Sequence, residues 1–244
     1  PPNTEWTDVM KTILAAIGVP TDPFDPSVRL VVFPGADGEA IRGRDRTKLI
    51  EPAADFARKQ HVFVVPGLYI HHQALCLCLL DDNGRLILEQ EATHLNPTWA
   101  GDLLRGDEIR IVEAPFGKIA LCADVDIYKG EVLRIAALQG AEIVVSCQVI
   151  GSQDYCREMI LAGAWQQAQQ NCLFIPNSNN LNASVIGPCL TAPDQSGFLT
   201  DISSSHPLQA LLSAEKRTLA YRSFAVFQSL NPPLYRHHRA ELCN

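Results

Sequence analysis

Short continuous apolar runs alternate with stretches of helical periodicity along this chain. Trp6, Val9, Ile13, Leu14 and Ile17 recur at helical spacing before Gly18 and Pro20, which predicts a helix over 6–17. "VRLVVFPG" predicts a strand buried on both faces and stopped by Pro34-Gly35. Residues 45–60 read as a helix with Leu49, Ala53, Phe56 and Ala57 on one side, and "HVFVVPGLYI" reads as one further strand. "HHQALCLCLLDDNGRLILEQE" reads as two strands joined by a hairpin turn at Asp82-Asn83-Gly84. "DEIRIVEAPFGKIALCADV" gives two more strands, turning between Pro115 and Gly117. A helix in "GEVLRIAALQG", ended by Gly140, and a strand in "AEIVVSCQV" follow. Residues 154–170 predict a helix with a Gln-rich polar face, "NCLFIPN" and "ASVIGPCL" further strands, and 213–223 a polar helix.

Strands alternating with helices, mixed with hairpins, imply an α/β domain built on a mixed sheet, or on two sheets with helices outside. No linker, repeat or low-complexity tract divides residues 1–244, so a single domain is expected. In parallel segments the functional site lies at the carboxyl ends of strands. That rule directs attention to Pro34-Gly35, Asp124 to Asp126, Cys147 and Asn177, each of which ends an apolar run.

Composition narrows the function classes. The chain has 244 residues, 47% hydrophobic and 19% charged, with a net charge of −7, which is the profile of a compact globular protein. An acidic chain without a basic run argues against nucleic acid as a partner. The apolar runs fall short of the ~18 residues a membrane helix needs, so no membrane partner is expected. Eight cysteines occur without a C-x-x-C pair, and several sit inside apolar runs. They read as reduced, buried thiols, which implies a cytoplasmic protein. The chain opens on Pro1-Pro2 without a Met, so residues are expected upstream, and the first strand of the fold can lie among them.

Several of these segments, in their order and spacing, resemble the nitrilase superfamily, the carbon–nitrogen hydrolases. "LVVFPG" is similar to that family's strand ending Phe-Pro-Glu, and "NGRLILEQEATHL" to its segment ending Arg-Lys-x-His-Leu. "GDEIRIVEAPFGKIAL" resembles the approach to the nucleophile strand, and "GEVLRIAALQGAEIVV" the helix and strand after it. "AWQQAQQNCLFIPNSN" and "YRSFAVFQSLNPPLY" resemble later segments of the family. The resemblance covers nearly the whole chain. It implies a four-layer α-β-β-α sandwich, a homodimer or larger homo-oligomer, and chemistry by a Cys nucleophile, a Glu base and a Lys that stabilises the tetrahedral intermediate.

Carried over residue by residue, the resemblance breaks at all three positions. Gly35 follows Phe33-Pro34 where the base would stand, and Ala92 lies two residues before His94-Leu95, where the Lys would stand. The nucleophile position lies seven residues after Gly117 and ten before Arg134, and both counts end on Asp124. Cys122 comes two residues early, inside the strand. With period-2 alternation it is expected on the same side of the sheet as Asp124, one step deeper. A free Asp titrates near 3.9 and is a poor substitute nucleophile. Loss of one stabilising donor alone costs about 10²–10³ in rate. The expectation is a relative without hydrolase activity that keeps a pocket for a small amine or amide.

Two rival readings stand beside it. In one, Cys147 or Cys122 serves as a relocated nucleophile of an active amide or nitrile hydrolase; in the other, the pocket is vestigial and the role structural. Asp124 is expected to find partners among the N–H groups starting the Gly130 helix, or in Asn177 or His94. Asp124 and Asp126 together could hold Mg²⁺, but no Gly-rich phosphate cradle follows; neither metal nor cofactor is expected. The adjacent His71-His72 and His237-His238 read as surface or loop residues pointing apart. Gln166, Gln167, Gln169 and Gln170 read as a polar helix face, suited to a subunit contact.

Overall fold

The computed structural model describes residues 29–34, 36–150, 157–203, 207–224, 226–228 and 230–237. The helix expected over 6–17, Gly35, the start of the 154–170 helix, Cys156, His238 and Cys243 lie outside them. Described are strands β1 (Leu30–Val32), β2 (Phe63–Val65), β3 (Tyr69–His71), β4 (Ala74–Leu80), β5 (Leu86–Glu91), β6 (Ile111–Ala114), β7 (Gly117–Ala123), β8 (Ile143–Gln148), β9 (Ile175–Asn179) and β10 (Ala183–Ile186). The helices are α1 (Gly38–Arg42), α2 (Arg46–Gln60), α3 (Gly130–Leu138), α4, which runs from Arg157–Ile160 through a π-helical Leu161–Trp165 into Gln166–Asn171, α5 (Ala214–Phe224) and α6 (Pro232–His237).

The strands form two five-stranded sheets. The first runs β1-β2-β4-β3, with β5 on β4; the second runs β10-β9-β8-β7-β6. β1 and β2 are parallel, and so are β7, β8 and β9, so their carboxyl ends share one edge within each sheet. The sheets pack face to face through β4 and β5 against β7. Between them lies an apolar layer that includes Leu75, Leu77, Leu79, Ile119, Leu121, Val145 and Cys147. Ala120, Cys122 and Val144, on the opposite face of the second sheet, meet Leu133 of α3 and Ala164 and Ala168 of α4. Phe56 and Ala57 of α2 cover the outer face of the first sheet with Phe33 and Val64. The layers are therefore α-β-β-α, as expected.

Local chemistry explains most boundaries. Asp45 caps α2 by accepting from the Thr47 N–H at 2.8 Å. The apolar stripe read from the sequence, Leu49, Ala53, Phe56 and Ala57, is buried. Gly84 turns the β4–β5 hairpin at φ 70°. The single strand expected over "HVFVVPGLYI" is corrected to two, β2 and β3. Pro66 lacks the ladder donor and Gly67 adopts φ 103°, a left-handed turn that an extended strand cannot contain. "ASVIGPCL" shortens to β10, because Pro188 leads into a 3₁₀ turn at Cys189–Thr191. His71 and His72 do not point apart: His72 takes φ 49° in the turn to β4, and the two rings lie 3.8 Å apart. The Gln face of α4 is only partly exposed. Gln167 is buried, and Gln169 donates to the Gly187 carbonyl and accepts from the Cys189 N–H.

Gly84 carries a testable consequence. A Cβ built there would lie 2.5 Å from the Ala54 carbonyl oxygen of α2, in a left-handed conformation besides. Gly84→Ala should cost about 2–3 kcal/mol of unfolding free energy, read by denaturant titration, through strain plus overpacking.

Candidate functional site

Asp124 ends β7 and opens a 3₁₀ turn, Asp124–Tyr128, that leads into α3. Its φ is 52°. Asp tolerates this left-handed conformation better than most side chains, yet it remains an uncommon one that is found where a side chain must be aimed. The turn breaks strand alternation. Cys122 faces the helix layer, while Asp124 turns to the far end of β8, where its Oδ1 accepts from the Val149 N–H at 3.0 Å. The expectation that Cys122 and Asp124 share one side of the sheet is thereby corrected, and Val149, not the Gly130 helix, Asn177 or His94, is the partner found.

Asp124 is 1% exposed, and its Oδ2 has no hydrogen-bond partner. Burial is the largest influence on the carboxyl and raises its pKa to about 6; the Val149 N–H opposes the rise, Asp126 adds to it, and the Trp99 indole opposes it. Trp99 Nε1 is itself buried without a hydrogen bond. The indole N–H therefore lies near enough to the carboxyl to stabilise its charge as a donor, without the alignment of a full hydrogen bond. Trp99 is held from behind: its carbonyl accepts from Arg42 Nε at 2.9 Å, and its ring packs so closely on Gly38 that a Cβ there would meet Trp99 Cδ2 at 3.0 Å.

Asp126 differs from Asp124 in every respect but burial. It accepts from the Thr93 N–H at 2.9 Å and Thr93 Oγ1 at 2.8 Å, and from the His94 N–H at 2.8 Å, with His94 Nδ1 at 2.9 Å. Such a saturated carboxylate has little left to offer a metal, which removes the Asp124–Asp126 magnesium reading. Among the described residues no group of three His, Cys, Asp or Glu could hold a metal ion. His94 is spent on Asp126, with Glu131 Oε1 3.6 Å from its Nε2. The clamp brings the end of β5, where fully buried Ala92 stands, beside the turn that carries Asp124.

The remaining candidates separate. Cys147 lies in the inter-sheet layer, 0% exposed, and burial pushes its thiol up to about 12. Burial raises the Cys122 thiol well above the usual range too, with Asp126 adding to it. Neither is poised as a thiolate. Asn177 pairs in register with Ser146, which pairs with Cys122, so it belongs to the helix-facing side, where it accepts from Gln148 Nε2. The structure thus gathers Ala92, Asp124, Asp126, His94 and Cys147 around the β5, β7 and β8 ends and leaves Cys122 and Asn177 on the other face.

Three participants escaped the sequence reading: Trp99, Thr93 and Arg44. Trp99 had one weak signal, a large aromatic in a turn-rich stretch, "NPTWAGD". Arg44 reaches inward and donates from Nη1 to the Leu68 carbonyl at 2.7 Å. Burial lowers its pKa to about 10, opposed by Asp37 and then by Cys147. A cavity of about 210 Å³ lined by Gln169, Cys172, Pro188, Cys189 and Phe224 lies away from Asp124. Among the described residues no helix is long and apolar enough to cross a membrane.

No protein-family model matches the sequence, and no curated protein matches it. Solved structures do. An amidase from Nesterenkonia sp. superposes with a TM-score of 0.70 at 13% identity, over 97% of this chain and 91% of that one. A mutant of the Nesterenkonia sp. AN1 amidase, with the acetamide moiety of fluoroacetamide added covalently at its active-site cysteine, gives 0.69 at 14%, over 95% and 89%. Nit3 of Saccharomyces cerevisiae, a member of branch 10 of the nitrilase superfamily, gives 0.72 at 13%, over 92% and 89%. Near-complete coverage in both directions shows that this chain has the fold of the nitrilase superfamily, the carbon–nitrogen hydrolases.

Proposed function

We propose that this protein is a nitrilase-superfamily relative that has given up hydrolysis and binds a small amine or amide at Asp124. The observation that carries this reading is the buried Asp124 carboxyl in the left-handed turn after β7, with Oδ1 on Val149 and Oδ2 unfilled. The solved amidase has a cysteine that takes up an acetamide group. Here the turn carries a carboxyl, and its attack on an amide would give an anhydride, a less favourable intermediate than a thioester. Ala92 supplies no cation, and Gly35 of the sequence supplies no proton acceptor. Effects of such residues act as a unit, so losing all three removes the mechanism rather than weakening it.

What the site offers instead is hydrogen bonding. An unfilled acceptor at Asp124 and an unfilled donor at Trp99 match a group with an N–H and a carbonyl on neighbouring atoms, as in a primary amide. An ammonium group would fill the acceptor alone and stabilise its charge. The cysteine-nucleophile alternative loses ground because Cys147 and Cys122 are both fully buried with raised pKa values.

Purified protein should show no turnover of acetamide or of a simple nitrile, and fluoroacetamide should leave the intact mass unchanged. Turnover that disappears in Cys147→Ala or Cys122→Ala would overturn the reading. A second prediction follows from the Asp124 carboxyl, whose pKa rises from 3.8 to about 6 on folding. The fold favours the neutral form, so the penalty is absent below the unfolded pKa, grows between pH 3.8 and 6, and is complete above. Asp124→Asn keeps an acceptor for Val149 and should be more stable than the parent at pH 8, by an amount on the order of 3 kcal/mol. Urea titrations at pH 8 and pH 4 should show the difference shrinking toward zero in acid.

A further inference from the structure

The tip of the β4–β5 hairpin carries a reactive pair outside the Asp124 site. Asn83 is exposed, and Gly84 follows it in the one Asn-Gly step of the sequence. The Gly84 backbone nitrogen is one bond short of a five-membered ring with Asn83 Cγ, and Gly84 has no Cβ to shield that nitrogen. Asp81 holds the turn. Its carbonyl accepts from the Gly84 N–H at 2.9 Å, and its Oδ1 accepts from the Asn83 N–H at 2.9 Å and the Arg85 N–H at 2.7 Å. Asn83 Nδ2 donates to Asp82 Oδ1 at 2.9 Å. The attacking nitrogen and the leaving amide are thus both engaged while the turn is closed.

We propose that Asn83 is a site of spontaneous covalent conversion to aspartate and isoaspartate, and that Asp81 is the residue that slows it. In the reaction the Gly84 nitrogen bonds to Asn83 Cγ. The side-chain nitrogen leaves as ammonia, which takes up the Gly84 N–H proton. Water then opens the succinimide at either carbonyl, restoring the Gly84 N–H and leaving one new carboxylate. The Gly84 N–H must first let go of the Asp81 carbonyl, so the rate follows local opening of the hairpin. The products bear on packing. A carboxylate at position 83 takes the donor away from Asp82 and sets a third acid beside Asp81 and Asp82, where like charges repel. The isoaspartate route also threads a methylene into the backbone just before Gly84. A Cβ on Gly84 would already lie 2.5 Å from the Ala54 carbonyl oxygen and 2.9 Å from Arg58 Nη1, so a lengthened turn has to back away from α2.

Incubation of the purified chain at mildly alkaline pH, followed by peptide mass mapping and isoaspartate detection, tests this. The same chain unfolded in urea sets the unrestrained rate. The folded chain should convert at Asn83 ahead of its other asparagines, and more slowly than the unfolded chain. Asp81→Ala removes two side-chain hydrogen bonds worth about 1 kcal/mol each, so conversion in the folded chain should speed up by roughly ten-fold or more. Asn83→Gln should abolish it. Hydrogen exchange at the β4–β5 amides should be faster in the aged parent than in Asn83→Gln aged beside it. A folded parent that keeps Asn83 intact through an interval that converts the unfolded chain completely, a comparison that needs no variant, overturns the site. An Asp81→Ala rate equal to that of the parent overturns the role of Asp81.

Discussion

The contacts gathered on Asp126, three from Thr93 and His94 donors and one with the His94 ring, are the constraint on which the site depends. Thr93 and His94 close the end of β5, and Asp126 belongs to the turn after β7, so one buried carboxylate stitches the first sheet to the second where the strands finish. A charged acceptor with several N–H and O–H donors is a strong and directional tie, and leaving it incomplete would cost the full desolvation of a buried charge. With Asp126 anchored, Asp124 has little freedom: the chain must fold back within two residues, and the left-handed φ follows. The two acids thus divide the labour. One is saturated and structural; the other takes the Val149 N–H on Oδ1, with the Trp99 indole and the Val125 N–H nearby, and its Oδ2 forms no hydrogen bond.

Under the proposed reading, the residues at the expected triad positions are coherent as electrostatics. Two carboxylates in one closed space raise each other's pKa, and Asp126 already has this effect on Asp124. Arg44, in the loop between α1 and α2, donates to the Leu68 carbonyl.

Much of this was legible in the sequence, for identifiable reasons. The α2 stripe and the β4–β5 hairpin are local patterns, and local patterns survive without knowledge of the partner elements. The place of Asp124 at the end of β7 was legible because its distances to Gly117 and Arg134 are counted along one continuous strand–turn–helix segment. The break at Pro66-Gly67 was hidden inside an otherwise apolar run. The inward role of Arg44 was hidden more thoroughly. Arg42, Arg44 and Arg46 lie at every second position, and nothing local separates Arg42, which pairs with Asp102, or Arg46, which pairs with Glu89, from the one that turns inside. Trp99 and Thr93 act on residues some 25 to 33 positions away, contacts that no spacing rule reaches.

The packing of Trp99 on Gly38 bears on the timing of any encounter at Asp124. That indole is clasped by α1 through Arg42, and the carboxyl behind it is almost wholly screened from solvent. Under the proposed binding role, a guest would reach that carboxyl only by displacing the indole. At high ligand concentration the observed association rate would then level off at the frequency of that displacement instead of rising without limit, and the clasp on Trp99 would govern the plateau.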